Sequence, residues 1–476
     1  MKIEIHNFGP IHRFDCDLDK DLHLIVGENN IGKSYAITLV YLLLKSLIES
    51  GEDFDWDQFR KRQEVMRKDL FGKVSLTTGE EVDISVSLGN SLTDILEDVF
   101  LNKFRNYFGG TYNSIDSVIN KSSGEEPQVR LLLDEIEVHI GVAEGVFAVK
   151  NLVVRKAIKV IFQEKDKPFR LETDKITIYC DKEDYKNLET RFSVLSAFLY
   201  HEVLKEVLSK IRSIHYLPAS RSGLYQALSA FGQIVAELSK SRAFLKSRIE
   251  LPGISIPLSD YFLELSEIDP NRKNPENTPI ATIAEEIEEN ILHGKVEFDG
   301  RTKKLFYTPD GMALRLDIDA TSSMVSELSP IVAFLRHILT QSAKRQRSIS
   351  SLPPTTLPEG ISPKALIFIE EPEAHLHPEN QVKLMSAFAD LVNTDVKIII
   401  TSHSNYLFNK LNNLILEKKV AIESIQASIL KPSAMGSEAI ALETDKLGIL
   451  NENFIGVAEE LHEEKVDLIH KMNADA

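Results

Sequence analysis

One stretch near the N-terminus combines the side chains and the spacing of a phosphate-binding loop. Residues 22–34 read Leu-His-Leu-Ile-Val-Gly-Glu-Asn-Asn-Ile-Gly-Lys-Ser, with four residues between Gly27 and Gly32. Glycines let backbone N–H groups curl around an anion, and the start of a following helix adds partial positive charge. In such a loop a lysine, here Lys33, reaches the β- and γ-phosphates, and a serine hydroxyl, here Ser34, binds Mg²⁺. The alternative is a chance glycine turn before a helix.

The flanks of this loop favour a real site. The apolar run Leu24–Val26 predicts a buried strand, and apolar spacing from Tyr35 to about Ile48 predicts a helix, which is the strand–loop–helix context of a P-loop. We therefore predict a nucleotide site for ATP with Mg²⁺. The residues expected to contact the nucleotide are Gly27, Asn29, Asn30, Ile31, Gly32, Lys33, Ser34 and Tyr35.

Two carboxylates follow the most strand-like apolar run of the C-terminal half. The run Ala365–Ile369 leads directly into Glu370 and Glu371. A buried parallel strand ending in acidic residues delivers them to the sheet edge where a metal ion and an attacking water meet. We expect Glu370 to hold the metal together with Ser34, and Glu371 to orient or deprotonate the water.

A second apolar strand is predicted at Val396–Thr401, and it ends in Ser402-His403-Ser404. A histidine at such an end can hydrogen-bond the γ-phosphate. With Lys33 and Glu371, His403 completes the predicted catalytic set.

Other chemistry-bearing residues leave alternatives open. Residues 214–222 predict a strand that ends in a loop, and Arg221, just past the end of the strand, either senses the γ-phosphate or contacts a partner, or pairs with a carboxylate on the surface. Gln226 and Gln233 are candidates for a metal-contacting glutamine. His375 and His377 suggest a metal, but with no third ligand nearby we favour a loop at a subunit contact.

Two further segments have both a functional and an ordinary interpretation. Leu131-Leu132-Leu133-Asp134-Glu135 imitates an acidic strand end, yet it lies in an alternating region and predicts an ordinary strand and turn. Ser322 and Ser323 precede a helix predicted from about Ser326, where they either present N–H groups to an anion or simply cap the helix.

Composition limits the class of protein. The 476 residues carry 55 Lys+Arg against 72 Asp+Glu, a net charge of −17, which argues against a broad nucleic-acid footprint. Cys16 and Cys180 are the only cysteines, so a disulfide framework or cysteine zinc site is excluded. No signal peptide is visible, and the longest apolar stretch, Leu39–Leu44, is too short to span a bilayer. We expect a soluble cytoplasmic protein without a membrane partner.

Together these motifs resemble the ABC-type ATPase heads of the SMC and RecF group, and in particular the ATPase part of the OLD (overcoming lysogenisation defect) family and its stand-alone relatives. The likeness covers roughly residues 1–48 and 295–476. The matching motifs are Asn7-Phe8-Gly9-Pro10-Ile11, the loop from Gly27 to Ser34, Glu370-Glu371-Pro372-Glu373-Ala374-His375-Leu376-His377-Pro378 and Thr401-Ser402-His403-Ser404.

The resemblance implies an α/β fold: a P-loop NTPase mixed sheet with flanking helices and an antiparallel β subdomain, carrying a large, mostly helical insertion. It places the ATPase head in residues 1–48 and 295–476 and an inserted α+β or helical region in 49–294. Strand-like segments within the insertion are expected at 129–140, 146–163 and 170–180.

The resemblance also implies roles for single residues. Glu371 is the expected catalytic glutamate, residues 373–378 the D-loop and His403 the switch histidine. Ser322 and Ser323 occupy the signature position, which in this group completes the partner's ATP site in a homodimer or higher even-numbered oligomer. Met324 stands where a glycine is usual, and its bulk predicts slow turnover; Glu370 replaces the commoner aspartate.

Many OLD proteins continue into a Toprim nuclease, which needs an Asp-x-Asp motif, and none occurs among the residues after His403. The resemblance therefore suggests an ATPase that controls a separate effector, a nuclease or toxin, in anti-phage defence. One alternative is a RecF-like repair ATPase that clamps DNA, for which Lys344, Arg345 and Arg347 are thin support. Another is a nucleotide-binding scaffold with negligible hydrolysis. The large insertion argues against an ABC transporter subunit.

Overall fold

A computed structural model defines the fold. It describes residues 1–52, 81–83, 85–155, 157–162, 170–171, 175–180, 200, 203–219, 221–225, 254–268, 278–300, 302–340, 363–445, 448–449 and 463–466. Gln226, Gln233, Lys344, Arg345 and Arg347 lie outside the described residues.

Short, alternating or fully apolar segments form the strands, as their spacing predicts. The strands are β1 Lys2–Phe8, β2 Ile11–Asp17, β3 Leu22–Gly27, β4 Glu81–Asp83, β5 Gln128–Leu132, β6 Ile136–Ala143, β7 Val146–Val154, β8 Ala157–Phe162, β9 Arg170–Leu171, β10 Lys175–Cys180, β11 Ile211–Leu217, β12 Gly294–Asp299, β13 Lys304–Pro309, β14 Leu316–Asp317, β15 Lys364–Glu370, β16 Val396–Ser402, β17 Ile425–Ser433, β18 Gly436–Ala441, β19 Thr444–Asp445 and β20 Gly448–Ile449.

The described helices lie between groups of these strands. They are α1 Lys33–Glu52, α2 Ser85–Ile95, α3 Asn102–Tyr112, α4 Ile256–Ser266, α5 Pro279–Ile287, α6 Ser323–Ala333, α7 Pro378–Val392 and α8 Asn405–Leu416, with π-helical turns at Leu96–Leu101, Glu288–Leu292 and Phe334–Leu339. No described helix is long and apolar enough to cross a lipid bilayer.

Eleven strands form the main sheet, in the order β11-β15-β16-β3-β17-β18-β2-β1-β5-β6-β7. The strands β11, β15, β16, β3 and β17 pair parallel with one another. The pairs β17–β18, β2–β1, β1–β5, β5–β6 and β6–β7 are antiparallel. The expected α/β class, with a mixed sheet, flanking helices and an antiparallel part, is confirmed.

Both faces of the parallel strands are buried, which is why their sequences are apolar throughout. Side chains alternate between the two faces: Ile25 and Ile399 pack on the face covered by α1, whereas Leu24 and Ile398 pack on the face covered by α6, α7 and α8. The carboxyl ends of β3, β15 and β16 consequently lie side by side at one edge of the main sheet.

The sheet crosses the domain boundaries predicted at residues 48 and 295. β5, β6, β7 and β11 come from residues 49–294, yet they are hydrogen-bonded in the same sheet as β1 and β15. The acidic pair Asp134-Glu135 lies in the turn between β5 and β6, as predicted for an ordinary strand and turn.

Candidate functional site

The loop between β3 and α1 has the curled backbone of a phosphate cradle. Gly27 and Gly32 adopt φ angles of +151° and +104°, which side-chain-bearing residues rarely do. A Cβ on Gly32 would lie 2.8 Å from Cγ of Pro10, and one on Gly27 would lie 2.8 Å from the carbonyl oxygen of Leu430. Glycine is therefore required at both positions by conformation and by close approach of neighbouring elements.

Within this loop Asn29 and Asn30 are exposed, whereas Ile31 is buried beneath them. Ser34 and Tyr35, in the first turn of α1, are also exposed. The ring of Tyr35 packs against Phe8 and Tyr112, at centroid separations of 5.9 and 5.5 Å. The exposed side chains thus lie around the helix N-terminus, where an anion is favoured.

Lys33 spans the cradle. Its Nζ donates to the carbonyl oxygens of Gly27 at 2.9 Å and Glu28 at 2.7 Å, and it lies 3.4 Å from Nδ1 of His403. Lys33 is only 5% exposed. Burial lowers the pKa of Lys33 to about 8, against the opposing attraction of Glu371 and Glu373.

Ser34 and Glu370 form an oxygen-donor pair at the start of α1. The Ser34 hydroxyl donates to Oε2 of Glu370 at 3.1 Å, and the hydroxyl of Tyr216 donates to the other carboxylate oxygen. Burial raises the pKa of Glu370, although the hydrogen bonds from Tyr216 and Ser34 act in the opposite direction. Hydroxyl and carboxylate oxygens are the hard ligands that Mg²⁺ prefers, so these residues fit the expected ion.

Glu371 lies at the turn that follows β15. Its backbone has a φ of +41°, its amide donates to the carbonyl oxygen of Thr401 at 3.0 Å, and its side chain is 40% exposed. A carboxylate that is accessible to water and adjacent to a phosphate cradle is placed as a general base requires.

His403 joins the acidic and basic halves of the site. Its Nδ1 lies 3.4 Å from Lys33 Nζ, and its Nε2 lies 3.4 Å from Oε1 of Glu371. One oxygen of Glu373 accepts hydrogen bonds from the His403 amide at 2.6 Å and the Ser402 hydroxyl at 2.8 Å. The structure therefore brings together Lys33, Glu371 and His403 from three strand ends that are remote in sequence.

Arg221 is placed differently from both sequence-based alternatives. Its side chain is fully buried, so it is not a surface arginine, and it pairs with Glu327 at 3.4 Å. It also donates to the carbonyl oxygens of Glu370 and Glu371, at 2.8 and 3.3 Å. The guanidinium thus lies behind the acidic turn and contacts its backbone.

The predicted signature serines lie at the start of α6. Both are exposed, and the Ser322 hydroxyl caps the helix by accepting from the Val325 amide at 3.4 Å. The sulfur of Met324 accepts from the Asn380 side chain on α7 at 3.1 Å, which joins the start of α6 to the helix after the D-loop. In the described part of the chain, the Ser322 side chain therefore serves as the N-cap of α6.

His375 and His377 lie in the segment predicted to be the D-loop. The His377 side chain accepts from the Glu379 amide and caps α7, and His375 has a φ of +61°. The described residues contain no cluster of three or more His, Cys, Asp or Glu side chains arranged to hold a metal ion.

Sequence reasoning missed the roles of three residues that shape the site, although it included Glu373 in the segment 373–378. Tyr216 holds Glu370, Glu373 holds the amide of His403, and Ser437 donates to the carbonyl oxygen of Ile31 in the phosphate loop at 2.6 Å. Tyr216 is near the end of a buried strand, which is a detectable signal. Ser437 has no comparable signal, because it reaches the loop only through the pairing of β18 with β2.

One protein family matches most of the chain. Residues 1–408 match the family described as AAA ATPase domain. No curated protein matches the chain. Among solved structures, an SMC head bound to the C-winged helix domain of ScpA is 11% identical, covers 94% of this chain and 98% of that one, and has a TM-score of 0.37.

Two other SMC heads are similar at the same level. The SMC head domain from Thermotoga maritima is 10% identical over 93% of this chain and 98% of that one, with a TM-score of 0.33. The SMC head with an extended coiled coil derived from Pyrococcus furiosus, bound to the C-terminal domain of ScpA, is 11% identical over 97% of this chain and 98% of that one, with a TM-score of 0.35.

Proposed function

This chain belongs to the AAA ATPase domain family, and from that membership we propose that it binds ATP with Mg²⁺ between β3 and α1 and hydrolyses it. The observation that carries the proposal is the convergence on His403, which lies 3.4 Å from both Lys33 Nζ and Oε1 of Glu371. A buried lysine in a phosphate cradle and an accessible carboxylate beside it are the groups that phosphoryl transfer to water needs.

We assign the steps of hydrolysis to individual residues. Lys33 binds the phosphates, and Glu371 orients a water and accepts its proton as the water oxygen bonds to the γ-phosphorus. The bond from the γ-phosphorus to the bridging oxygen then breaks, and ADP leaves with that electron pair. His403 donates a hydrogen bond to the γ-phosphate. Ser34 and Glu370 would hold Mg²⁺, which supplies neutralising charge when bound.

We further propose that two or another even number of copies assemble through their ATP sites. Ser322 and Ser323, exposed at the N-terminus of α6, are suited to complete a neighbouring copy's phosphate site, since helix N-termini favour anions. Met324 beside them predicts slow turnover. On the resemblance to OLD-type ATPases, we propose that the assembly controls a separate nuclease or toxin effector in anti-phage defence.

Paired variants test the ATPase assignment. Lys33→Ala should abolish ATP binding, because it removes the charge that spans the cradle. Glu371→Gln should bind ATP like the unmodified protein and lose about 10²–10⁴-fold in phosphate release, because the amide cannot accept the proton. Titration calorimetry and a phosphate-release assay measure the two effects.

Two results would contradict the proposal. Unchanged ATP affinity in Lys33→Ala would refute the site, and equal near-background rates in the unmodified protein and Glu371→Gln would favour a scaffold without hydrolysis. An ATP-strengthened, salt-sensitive affinity for DNA would instead support the RecF-like alternative, since neutralised phosphates make binding salt-dependent.

A further inference from the structure

Arg221 and Glu327 form a buried ion pair between the acidic turn and α6. Arg221 is 0% exposed and Glu327 is 1% exposed. The guanidinium lies 3.4 Å from Oε2 of Glu327, and the Arg221 amide donates to the same oxygen at 3.1 Å. The other carboxylate oxygen accepts from the Ser222 hydroxyl at 2.6 Å. Burying two charges is costly unless further hydrogen bonds satisfy them, and here both carboxylate oxygens of Glu327 accept hydrogen bonds.

Four hydrogen bonds and an ion pair hold the guanidinium. Nε donates to the Glu327 carbonyl at 3.3 Å, Nη1 to the carbonyls of Pro218 at 2.9 Å and Glu370 at 2.8 Å, and Nη2 to the Glu371 carbonyl at 3.3 Å, while Nη2 also lies 3.4 Å from the Glu327 carboxylate. Because the side chain is 0% exposed and its donors are directed to these groups, the guanidinium is not accessible to a phosphate. This arrangement removes the phosphate-sensing interpretation of Arg221.

Two of the carbonyl groups that accept hydrogen bonds from Arg221 lie on either side of the Glu371 Cα. The Glu370 carbonyl belongs to the peptide before the Glu371 Cα, and the Glu371 carbonyl belongs to the peptide after it. The first of these peptides is also held by its N–H, which donates to the Thr401 carbonyl at 3.0 Å. Both peptide planes on either side of a residue with φ of +41° are therefore held by hydrogen bonds.

We infer that Arg221 and Glu327 are positioning residues for hydrolysis: Arg221 fixes the peptide planes that aim the Glu371 carboxylate, and Glu327 ties that geometry to the position of α6. The inference rests on the proposed ATP hydrolysis. Since α6 begins at Ser323, just after Ser322, a displacement of its start moves Glu327 and, through Arg221, the catalytic turn. Turnover then depends on where α6 sits, while ATP binding in the P-loop does not.

Glu327→Gln tests this inference, because it keeps the shape of the side chain and removes its charge. We expect kcat to fall about 10–100-fold, as small misplacement of a catalytic group does, with KM for ATP changed less than about threefold. Steady-state phosphate release over a range of ATP concentrations measures both constants.

Glu288→Gln is the matched control. Glu288 is also fully buried and pairs with Arg336 at 2.7 and 2.9 Å, but its contacts do not include the acidic turn. The kcat of Glu288→Gln should stay within about twofold of that of the unmodified protein, even if the melting temperature of this variant falls as far as that of Glu327→Gln. An unchanged kcat in Glu327→Gln, or equal losses of kcat in both variants, would overturn the inference.

An apolar double variant separates positioning from stability. Combining Arg221→Met with Glu327→Leu replaces the buried ion pair by packed side chains, which commonly restores stability. The inference expects the melting temperature to recover relative to Glu327→Gln while kcat stays low, because no donor holds the Glu370 and Glu371 carbonyls. Recovery of kcat along with stability would overturn it. An unmodified protein without Lys33-dependent hydrolysis would instead refute the proposed function itself.

Discussion

At the scale of single residues, burial sets the chemistry of the site. Lys33 is withdrawn from water and held by two loop carbonyls and His403. Its pKa is lowered to about 8, so its charge titrates close to neutral pH. A phosphate-binding lysine acts as a point charge, and its affinity for phosphate depends on that charge.

This pKa predicts pH-dependent ATP binding. Below pH 8 Lys33 is charged and attracts phosphate; above pH 8 the charge is lost, so ATP must bind with uptake of a proton. The dissociation constant for ATP should rise about eightfold between about pH 7.5 and 9, following the protonated fraction of a group with a pKa of about 8. Titration calorimetry in buffers of different ionisation enthalpy also measures the proton uptake.

Lys33→Arg is the control for this prediction. Arginine stays charged across the whole range, so its affinity for ATP, although changed in size by the different geometry, should no longer depend on pH. A wild-type dissociation constant that is flat from pH 7.5 to 9 would contradict the assignment.

Sequence reasoning identified the residues whose chemistry is carried by local spacing. Lys33, Glu370, Glu371 and His403 each end or follow an apolar strand, and the structure brings them to one edge. Sequence reasoning did not place Arg221, because its partners lie on α6 and at the ends of β11 and β15, and no local pattern encodes that meeting. Side chains whose role depends on non-local contacts remained beyond prediction.

At the scale of elements, the phosphate loop is shaped by segments from both ends of the chain. The turn between β1 and β2 packs against Gly32, and β17 packs against Gly27. Ser437 on β18 donates to the carbonyl oxygen of Ile31. The curl of the loop is therefore a property of the sheet around it as well as of its own glycines.

Gly32→Ala should disrupt this arrangement. Its φ of +104° is unfavourable for alanine, and the added Cβ would lie 2.8 Å from Pro10 and 2.9 Å from Ile11. We expect the free energy of unfolding to fall by about 1–3 kcal/mol. ATP affinity should also fall by at least about tenfold, as the backbone N–H groups move. Chemical denaturation and calorimetry measure the two quantities.

Gly124→Ala provides the comparison for Gly32→Ala. Gly124 also has a positive φ, +71°, but a Cβ there would meet nothing within 4 Å. It should lower stability by about 1 kcal/mol and leave ATP affinity unchanged. If both variants bind ATP equally well, close packing against the loop is not what requires glycine at residue 32.

The elements were predictable to different degrees. β3, β15 and β16 are uninterrupted apolar runs, and their type and approximate bounds followed from the sequence. The strand-like segments at 129–140 and 146–163 were also expected, but not that β5, β6 and β7 join the main sheet while β8 joins a separate four-stranded sheet. Pairing of β5 with β1 joins residues more than a hundred positions apart, and hydrophobic periodicity carries no information about such partners.

At the scale of the whole molecule, charge and assembly decide which partners fit. The chain has 72 acidic and 55 basic residues, and the resulting net charge of −17 disfavours broad contact with a polyanion. The exposed start of α6 is the surface through which the proposed even-numbered assembly would complete its ATP sites.

Glu371→Gln should trap this assembly, since ATP bound without hydrolysis keeps the copies together. Native mass spectrometry of Glu371→Gln with and without Mg²⁺ and ATP should show an even-numbered oligomer that grows with nucleotide. A genomic neighbour retained on that oligomer would identify the effector.

Adding Lys33→Ala to Glu371→Gln supplies the control, because a site that cannot bind ATP should give the same masses with and without nucleotide. Identical mass distributions for Glu371→Gln in the presence and absence of nucleotide would contradict ATP-dependent assembly. A nucleotide-dependent dimer with nothing attached would favour a DNA-directed ATPase over an effector-controlling one.

The position of β3 in the sheet has a consequence for synthesis on the ribosome. β3 is made early, yet both strands that flank it, β16 and β17, are encoded some 370 to 400 residues later. At about 5–20 residues per second, roughly 20–80 s separate translation of the phosphate loop from translation of β17. A nascent chain consequently cannot complete its nucleotide pocket until β16 and β17 have been translated, so the first ATP bound there reports a chain that already contains both strands.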